Sequence, residues 1–469
     1  MLTFTAIIGL KAIGQEKWDL RKCVEYALEH NISIKQQDIQ AKIAELTLKQ
    51  SRASQIPSFN FGTNLGLSTG RSIDRTTNLF TTQSVWYNTF SLQSNVDLFN
   101  WFNKRYTIAG DRFSSEAAKA AVDKLKNDIS LNIASAYLQV LLAKEQINAS
   151  NLQIALTSSQ LDNTKKLVNA GSLPELNLAE LEAQLATDSS SLITAQGTET
   201  QSILLLKSLL QLDAGVAFDV DAPPVDMIPI EPIAALQPEA VYALAIKNLP
   251  QQQVNAFNLE AARKYSASAK SLMYPSLSLG ASLGSNYSSS KGASRLLNPN
   301  PISFRSIGKV STTGDDVVVP VYDIRPYSLP YGTQLSDNFG NNIGVSLNIP
   351  IFNGRQARTN WQKQKLNVEN LTLQRDLGNM TLKQDIYSAY TDAITSLQKF
   401  NASTKSVAAA QKAYDFAQKR YDVGLLNTID LLTNQNNLFR ARIDRLSAQF
   451  DYVFKMKLLE FYRGQGLKL

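Results

Sequence analysis

Leu98-Phe99-Asn100 and Ile351-Phe352-Asn353 are one short phrase written twice, and the offset between them holds far down the chain. At that offset Tyr137 falls on Tyr390, Gly171 on Gly424, Leu178 on Leu431 and Leu185 on Leu438. A looser echo precedes it. Tyr26-Ala-Leu-Glu-His-Asn31 resembles Ala243-Leu-Ala-Ile-Lys-Asn248, and Ile56-Pro57-Ser58-Phe59 resembles Tyr274-Pro275-Ser276-Leu277. Each copy is far longer than a solenoid unit, so the chain is a duplicated half-protein. The length alone suggests two or three globular domains; the duplication argues instead for one elongated, pseudo-symmetric body.

Glycine and proline punctuate both copies. Asp111 to Ala170 contains neither, and Leu125, Ile129, Ile133, Ala136, Val140, Ala143 and Ile147 recur at helical spacing. Gly171 ends that run as a C′ glycine does. Pro174 stands where a new helix starts without needing its N–H, and that helix is expected to reach about Leu212. In the second copy Ile386, Tyr390, Ala393, Leu397 and Phe400 form the stripe, Gly424 the stop, and Leu425 to Arg463 is again free of Gly and Pro. Helices of about sixty residues are about 90–100 Å long at about 1.5 Å per residue. Such lengths need parallel neighbours, as in a coiled coil.

Between the helices lie alternating segments. Phe59, Phe61, Leu65 and Leu67 alternate with Asn60, Gly62, Asn64 and Gly66. Leu277, Leu279, Ala281 and Leu283 alternate with Ser and Gly, and Ile343, Val345, Leu347, Ile349 and Ile351 with Asn, Gly and Ser. Trp86, Phe90, Leu92, Val96 and Leu98 make a poorer fourth segment. Period two with one apolar and one small polar face marks a transmembrane β-strand. A sandwich strand with one wet face has the same pattern, but the setting between helices too long for a globule favours the barrel. Small membrane barrels need about eight strands, and an open edge in lipid leaves backbone groups unsatisfied. Other copies of the chain must therefore complete the barrel; two or three copies would both serve.

The organisation that follows is a signal segment over 1–14, a first repeat over 15–212, a Pro-rich linker over 213–237, a second repeat over 238–464 and a tail over 465–469. The first repeat holds a β-hairpin at about 57–99 and a helical hairpin at about 102–212; the second holds them at about 274–353 and 355–464. The turn from Thr69 to Ser84 reads as a loop of moderate length. The connection from Tyr287 to Gly340 reads as a long extracellular loop, dispensable for assembly.

Composition narrows the function classes. The net charge is +7, but no Lys/Arg cluster is interleaved with aromatics, so nucleic acid is not an expected partner. One cysteine, Cys23, excludes an internal disulfide. The first residues form a short apolar stretch ending in Ala12-Ile13-Gly14, which has the form of a secretory signal without its basic start. The single histidine, His30, has no second ligand near it in sequence, and no phosphate-binding glycine motif is present. No catalytic residue, metal site or cofactor is expected, and the chain is not read as an enzyme.

The order of these features resembles the TolC family of outer-membrane efflux proteins. The resemblance runs from Trp18 to Gly464. It rests on Trp18-Asp19-Leu20 with Ala27-Leu28-Glu29-His30-Asn31, on Pro57-Ser58 and Pro275-Ser276 at helix-to-strand junctions, and on Tyr421-Asp422-Val423-Gly424-Leu425 followed by Thr428-Ile429-Asp430-Leu431-Leu432. It implies a mainly α chain with transmembrane β-structure. Three copies would form an α-helical tunnel in the periplasm and share a twelve-stranded barrel in the outer membrane. It also implies a periplasmic adaptor (membrane fusion) protein and an inner-membrane pump as partners. By the same resemblance Tyr421, Val423, Gly424 and Leu425, with Val168, Ala170, Gly171 and Ser172, form the adaptor-docking tip. Asp430 matches an acidic lumen gate, with Thr433 at the second acidic position and Asn177 opposite Asp430 in the first repeat. An acid in the first turn of a helix is also favoured by the helix dipole alone, so both readings of Asp430 stand. The expected function is a passive duct of a tripartite efflux or type I secretion system. The alternative is a barrel-anchored structural or adhesive helical stalk, which needs no turn at its far end.

Overall fold

The computed structural model describes residues 17–73, 80–222, 228–291 and 293–464. The signal-like segment 1–14, residues 223–227 of the linker and the tail 465–469 lie outside the described residues. In chain order the first half holds α1 (Leu20–His30), α2 (Ile32–Ala53), β1 (Ser58–Ile73), β2 (Phe80–Phe99), α3 (Asn103–Asn169) and α4 (Glu175–Leu210). The second holds α5 (Pro238–Asn248), α6 (Pro250–Ser271), β3 (Ser276–Ser288), β4 (Ala293–Leu296), β5 (Ser303–Lys309), β6 (Asp316–Val321), β7 (Ile324–Tyr327), α7 (Tyr331–Asp337), β8 (Gly340–Asn348), α8 (Gln356–Asp422) and α9 (Thr428–Tyr462). α3 and α8 are both 67 residues long and begin and end at the offset that relates Leu98 to Ile351.

The compact units cut across this duplication, because each takes segments from both repeats. One unit is helical and draws on Met1–Thr47, Gly110–Arg263 and Leu366–Leu469; the other draws on Leu48–Ala109 and Lys264–Lys365 and holds the sheet.

In the helical unit Asp19 caps α1 by accepting the Lys22 N–H at 2.7 Å. The main core gathers Cys23, Ala27, Ile133, Tyr137, Val140, Leu206, Leu210 and Val220. Fully burying a side chain such as Leu206 or Leu210 contributes about 1.5–3 kcal/mol. A second core repeats the plan with Leu236, Val241, Ala245, Ile386, Ala393, Met456 and Leu459. Ile133 and Ile386 are thus the same residue of the two repeats, each completely buried. The linker is tied down at its start. Trp18 N–H donates to the Asp219 carbonyl at 3.1 Å, and Asp221 N–H to the Trp18 carbonyl at 2.9 Å. Lys144 reaches the Asp219 carboxylate and the Val220 carbonyl from α3.

In the sheet unit four antiparallel strands stand in the order β1-β2-β3-β8. Residues directly opposite share a face. Phe61 lies opposite Leu92, Leu92 opposite Leu283, Val96 opposite Leu279, and Leu279 opposite Val345. One face is therefore largely apolar, broken by Thr63, Asn88, Ser94 and Ser285, and its outer members Phe59, Phe61, Leu65, Ile343, Val345 and Leu347 are exposed. The other face carries Asn60, Gly62, Asn64, Ser91, Gln93, Asn95, Ser278, Gly280 and Ser282. Its charge at the base, Asp97, is paired with Lys104 at 2.9 Å. At Gly66 a Cβ would fall 2.5 Å from the end of the Tyr87 side chain, so a larger residue would force that ring to move. Aromatic rings bracket the apolar face. Trp101 and Tyr274 lie 4.9 Å apart beyond one end, and Tyr287 and Tyr331 lie 4.8 Å apart at the other. Such girdles mark the two interfaces of a membrane strand. Short of the second pair sits Leu283, and Leu277 to Tyr287 matches the about 9–11 tilted residues that cross a bilayer.

Several expectations change here. β2, with the poorest alternation in sequence, is the longest strand among the described residues. Its alternation breaks at a bulge between Asp97 and Phe99, so Phe99 and not Leu98 stands opposite Leu277. The loop expected over Thr69–Ser84 is largely strand, because pairing continues to Ile73 opposite Phe80. Apart from the end pair Ile73 and Phe80 the sequence there is polar, so no alternation announces it. β8 stops at Asn348, two residues before Pro350, and does not include Ile349 or Ile351. The Tyr287–Gly340 connection is structured. β4 pairs with β7, β5 with β6, and α7 docks on β3. Gln334 of α7 accepts from Ser288 N–H at 3.0 Å and donates to the Ser288 carbonyl at 2.9 Å, while Tyr331 O–H donates to Asn88 Oδ1 at 2.7 Å.

Candidate functional site

The two helical hairpins of the helical unit turn in the same way. After α3, Gly171 adopts φ 73°, its N–H meets the Val168 carbonyl at 2.8 Å, and Ser172 N–H meets the Leu167 carbonyl at 2.9 Å. After α8, Gly424 adopts φ 76°, its N–H meets the Tyr421 carbonyl at 2.9 Å, and Leu425 N–H meets the Arg420 carbonyl at 2.8 Å. Both are Schellman caps, in which a left-handed residue satisfies carbonyls that the helix leaves open. The next helices start differently. Pro174 precedes α4 with no side-chain cap, whereas Asn427 precedes α9 and accepts the Asp430 N–H at 2.7 Å.

Behind the turns the two hairpins are joined by buried polar side chains. Tyr421 O–H lies 3.2 Å from Thr164 Oγ1 and 3.5 Å from Thr428 Oγ1. Gln160 donates to Tyr414 at 3.1 Å and to Gln418 at 3.3 Å. Deeper along the helices Gln435 donates to Thr157 at 2.8 Å, and Thr157 donates to the Asp188 carboxylate at 2.6 Å. Gln184 donates to the same carboxylate at 2.8 Å and exchanges amide hydrogen bonds with Asn436. Burial pushes the Tyr414 phenol above its ordinary pKa, so it stays a neutral donor and acceptor. An apolar seam of Tyr414, Ala417, Leu431 and Leu438 runs beside these contacts.

The sequence-predicted tip residues fall into two groups. Tyr421 and Val168 are half-buried and hold the turns to the bundle. Ala170, Gly171, Ser172, Val423, Gly424 and Leu425 are exposed. Val423 and Leu425 put apolar side chains into solvent at 68% and 69% exposure. Leu167, Leu176 and Ile429 are exposed beside them, and sequence reasoning missed all three. They lie off the buried stripe of their helices, which was the available signal.

Asp430 and Thr433 are exposed on one face of α9, three residues apart. Thr433 O–H is turned back to the Ile429 carbonyl at 2.8 Å. Asp430 has no ion-pair partner among the described residues. Asn177 occupies the matching position of α4, half-buried, and within one chain no hydrogen bond joins it to Asp430 among the described residues. At the position matching Thr433 stands Glu180, also half-buried. The sequence reading passed over it, although the offset that pairs Leu178 with Leu431 points to it. The two acidic positions are thus divided between the repeats.

No cluster of three or more His, Cys, Asp or Glu side chains that could hold a metal occurs among the described residues. His30 stacks on Tyr26 at 4.1 Å, with Nδ1 3.0 Å from the Tyr26 carbonyl. Cys23 is fully buried, and burial pushes its thiol up to about 12, which leaves it protonated.

No helix among the described residues is long and apolar enough to cross a membrane. What the fold offers a bilayer is a sheet with one apolar face, aromatic girdles and two unpaired edges. A chain of this kind is one subunit of a shared membrane barrel and also holds a pair of long helical hairpins. The chain belongs to the outer membrane efflux protein family, whose profile matches residues 23–210 and 241–455. It is 20% identical to the outer membrane protein TolC of Escherichia coli over 96% of this chain and 82% of that protein. It is 20% identical to the alkaline protease secretion protein AprF of Pseudomonas aeruginosa, over 81% of this chain and 69% of that one. Among solved structures, the outer membrane protein VceC of Vibrio cholerae superposes with a TM-score of 0.72 at 17% identity, covering 96% of this chain and 97% of that chain. The protein is therefore an outer-membrane duct of the efflux and type I secretion class, with a periplasmic helical domain. Three copies close the four-stranded sheet into a barrel of twelve strands, with the polar face inward. The family is a transport family and not an enzyme class.

Proposed function

We propose that the duct is passive and that its two Schellman turns receive a periplasmic adaptor protein, which connects it to an inner-membrane pump. The observation that carries this reading is the exposed apolar group at the turns, Leu167, Leu176, Val423, Leu425 and Ile429. Solvent does not stabilise such a group, and a partner helix with apolar anchors would. The barrel face that lines the lumen is mostly Asn, Ser, Gly, Thr and Gln, with Tyr87 and the ion-paired Asp97 besides, which suits a wall that passes cargo without binding it. The exposed Asp430, with Glu180 on the neighbouring helix start, serves as the gate; Asn177 and Thr433 hold the uncharged positions of the same pattern. Drive and cargo selection belong to the pump and adaptor.

Single-channel recording of the purified trimer in a planar bilayer tests the duct. Discrete conductance steps are expected, and a trimer that inserts without conducting would remove this reading. Docking is tested separately by placing a photoreactive side chain at Leu425 in cells. Cross-linking to a periplasmic helical-hairpin protein is expected, and its loss in a Val423→Asp background would locate the contact.

A further inference from the structure

The connection between β3 and β8 carries an apolar surface that its own chain leaves bare. Phe304, Ile307 and Val318 of the β5–β6 ribbon are exposed, Phe304 at 64%, and no large apolar side chain between Leu296 and Ile324 is buried. A two-stranded ribbon without a core is marginal in water, and a contiguous exposed apolar patch marks a contact surface. Lipid is a poor occupant, because Arg305, Lys309, Asp315 and Asp316 are interspersed with the apolar residues.

The position of the ribbon indicates a better one. β1 and β8 are the two free edges of the sheet, so in the closed barrel β8 of one copy adjoins β1 of the next. β1 and β2 also continue past the last β2–β3 pair, Tyr87 with Ser288, up to Ile73 with Phe80. That extension exposes Leu67, Ile73 and Phe80. Within one chain the β3 end of the connection adjoins β2, and Ser289 N–H meets the Trp86 carbonyl at 2.8 Å, yet the apolar side chains of the ribbon stay exposed. The β8 end of the connection stands at the free edge, where β1 of the next copy brings a second such hairpin.

We propose that the β5–β6 ribbon of each copy packs on the extended β1–β2 hairpin of the next copy, so that three identical straps tie the trimer together beyond the barrel. The ribbon is then part of the assembly, contrary to its expected dispensability. Composition shows a long polar connection and hides the apolar face that pairing gathers.

Benzoylphenylalanine placed at Phe304 or at Val318 of the full chain in its native membrane tests this on irradiation. The expected product is a covalent dimer or trimer whose linked peptide comes from residues 58–73 or 80–99 of another copy. Cross-links confined to the same chain, to lipid or to a different protein, or no cross-link at all, would overturn it. The same probe at Phe59, on the outward apolar face, should label lipid; this separates failure of the strap from failure of barrel insertion. In a second test, Phe304→Asp combined with Val318→Asp should lower the temperature at which the trimer dissociates in detergent. An unchanged dissociation temperature would also overturn the strap.

Discussion

Asn427 caps the helix whose first turn holds Asp430: its side-chain oxygen accepts the Asp430 N–H at 2.7 Å. Pro174, at the matching place before α4, has no such bond. Asn427→Ala removes a cap worth about 1 kcal/mol. The thermal midpoint of the trimer should fall, and backbone exchange should rise in the first turn of α9 before that of α4. Equal exchange in the two turns would show that the cap contributes nothing.

Gly424 and Gly171 take φ values of 76° and 73°, and a Cβ at either would meet nothing within 4 Å. Substitution by alanine is therefore a pure backbone test. A left-handed L-residue costs about 1–2 kcal/mol, and Asn less than Ala because it tolerates that region. The expected order of thermal stability is wild type, Gly424→Asn, Gly424→Ala. If adaptor capture fails equally in both variants while only Ala destabilises, the glycine also serves docking by its small size.

Asp188 is a buried carboxylate that accepts from Thr157 and Gln184. Asp188→Ala leaves those donors without their acceptor, at about 1–3 kcal/mol. Thr157 also joins α3 to Gln435 of α9 at 2.8 Å. The loss should therefore loosen one hairpin against the other, and a drop in melting temperature together with more frequent channel opening is expected. A lower melting temperature with unchanged opening would confine Asp188 to stability.

The long helices and their turns were legible because a run without Gly or Pro ends at Gly171 and again at Gly424. The membrane strands were legible because one face is apolar and the other small and polar. What escaped has no such contrast. Polar residues separate Leu67 from Ile73 and Phe80 from Val85, so Ile73 and Phe80 stood inside an expected loop. The bulge at Leu98 moves the apolar register by one residue and shows only in the pairing. The apolar residues around the turns, such as Leu176 and Ile429, could be told from core residues only by their place off the buried stripe of their helices. Glu180 was legible through the offset that pairs it with Thr433, as Asn177 is with Asp430.

Asp219 supplies a pH test of the tied linker. Partial burial alone would raise its pKa, but the Lys144 hydrogen bond and charge, the Val220 N–H and Lys17 outweigh burial and hold it below 3.8. Its folded value lies below its unfolded value. The stabilisation is therefore fully present above about 3.8 and is lost as pH falls through the folded value. Asp219→Asn should lower the melting temperature near neutral pH, and the gap from wild type should close below that range. A gap that persists undiminished in acid would mean that packing at this site, and not the charge, is what the variant lost.

Asp430 and Glu180 stand at successive acidic positions of one pattern, split between α9 and α4, and neither has an ion-pair partner among the described residues. Around a threefold axis three copies of each would bring like charges together, and a multivalent cation would relieve that repulsion. Asp430→Asn should raise the concentration of a trivalent cation needed to block the channel several-fold. Glu180→Gln should do the same to a smaller degree, because Glu180 is half-buried. The double variant should be the least sensitive, with conductance in monovalent salt retained. Asn177→Asp and Thr433→Asp, which restore acids to the uncharged positions, should shift block in the opposite direction. If Asp430 acts only on the helix dipole, a contribution of about 0.3–1 kcal/mol, Asp430→Asn will lower thermal stability slightly. The blocking curve will then superpose on that of wild type. Superposed curves for all five variants would remove the gate and leave the duct untouched.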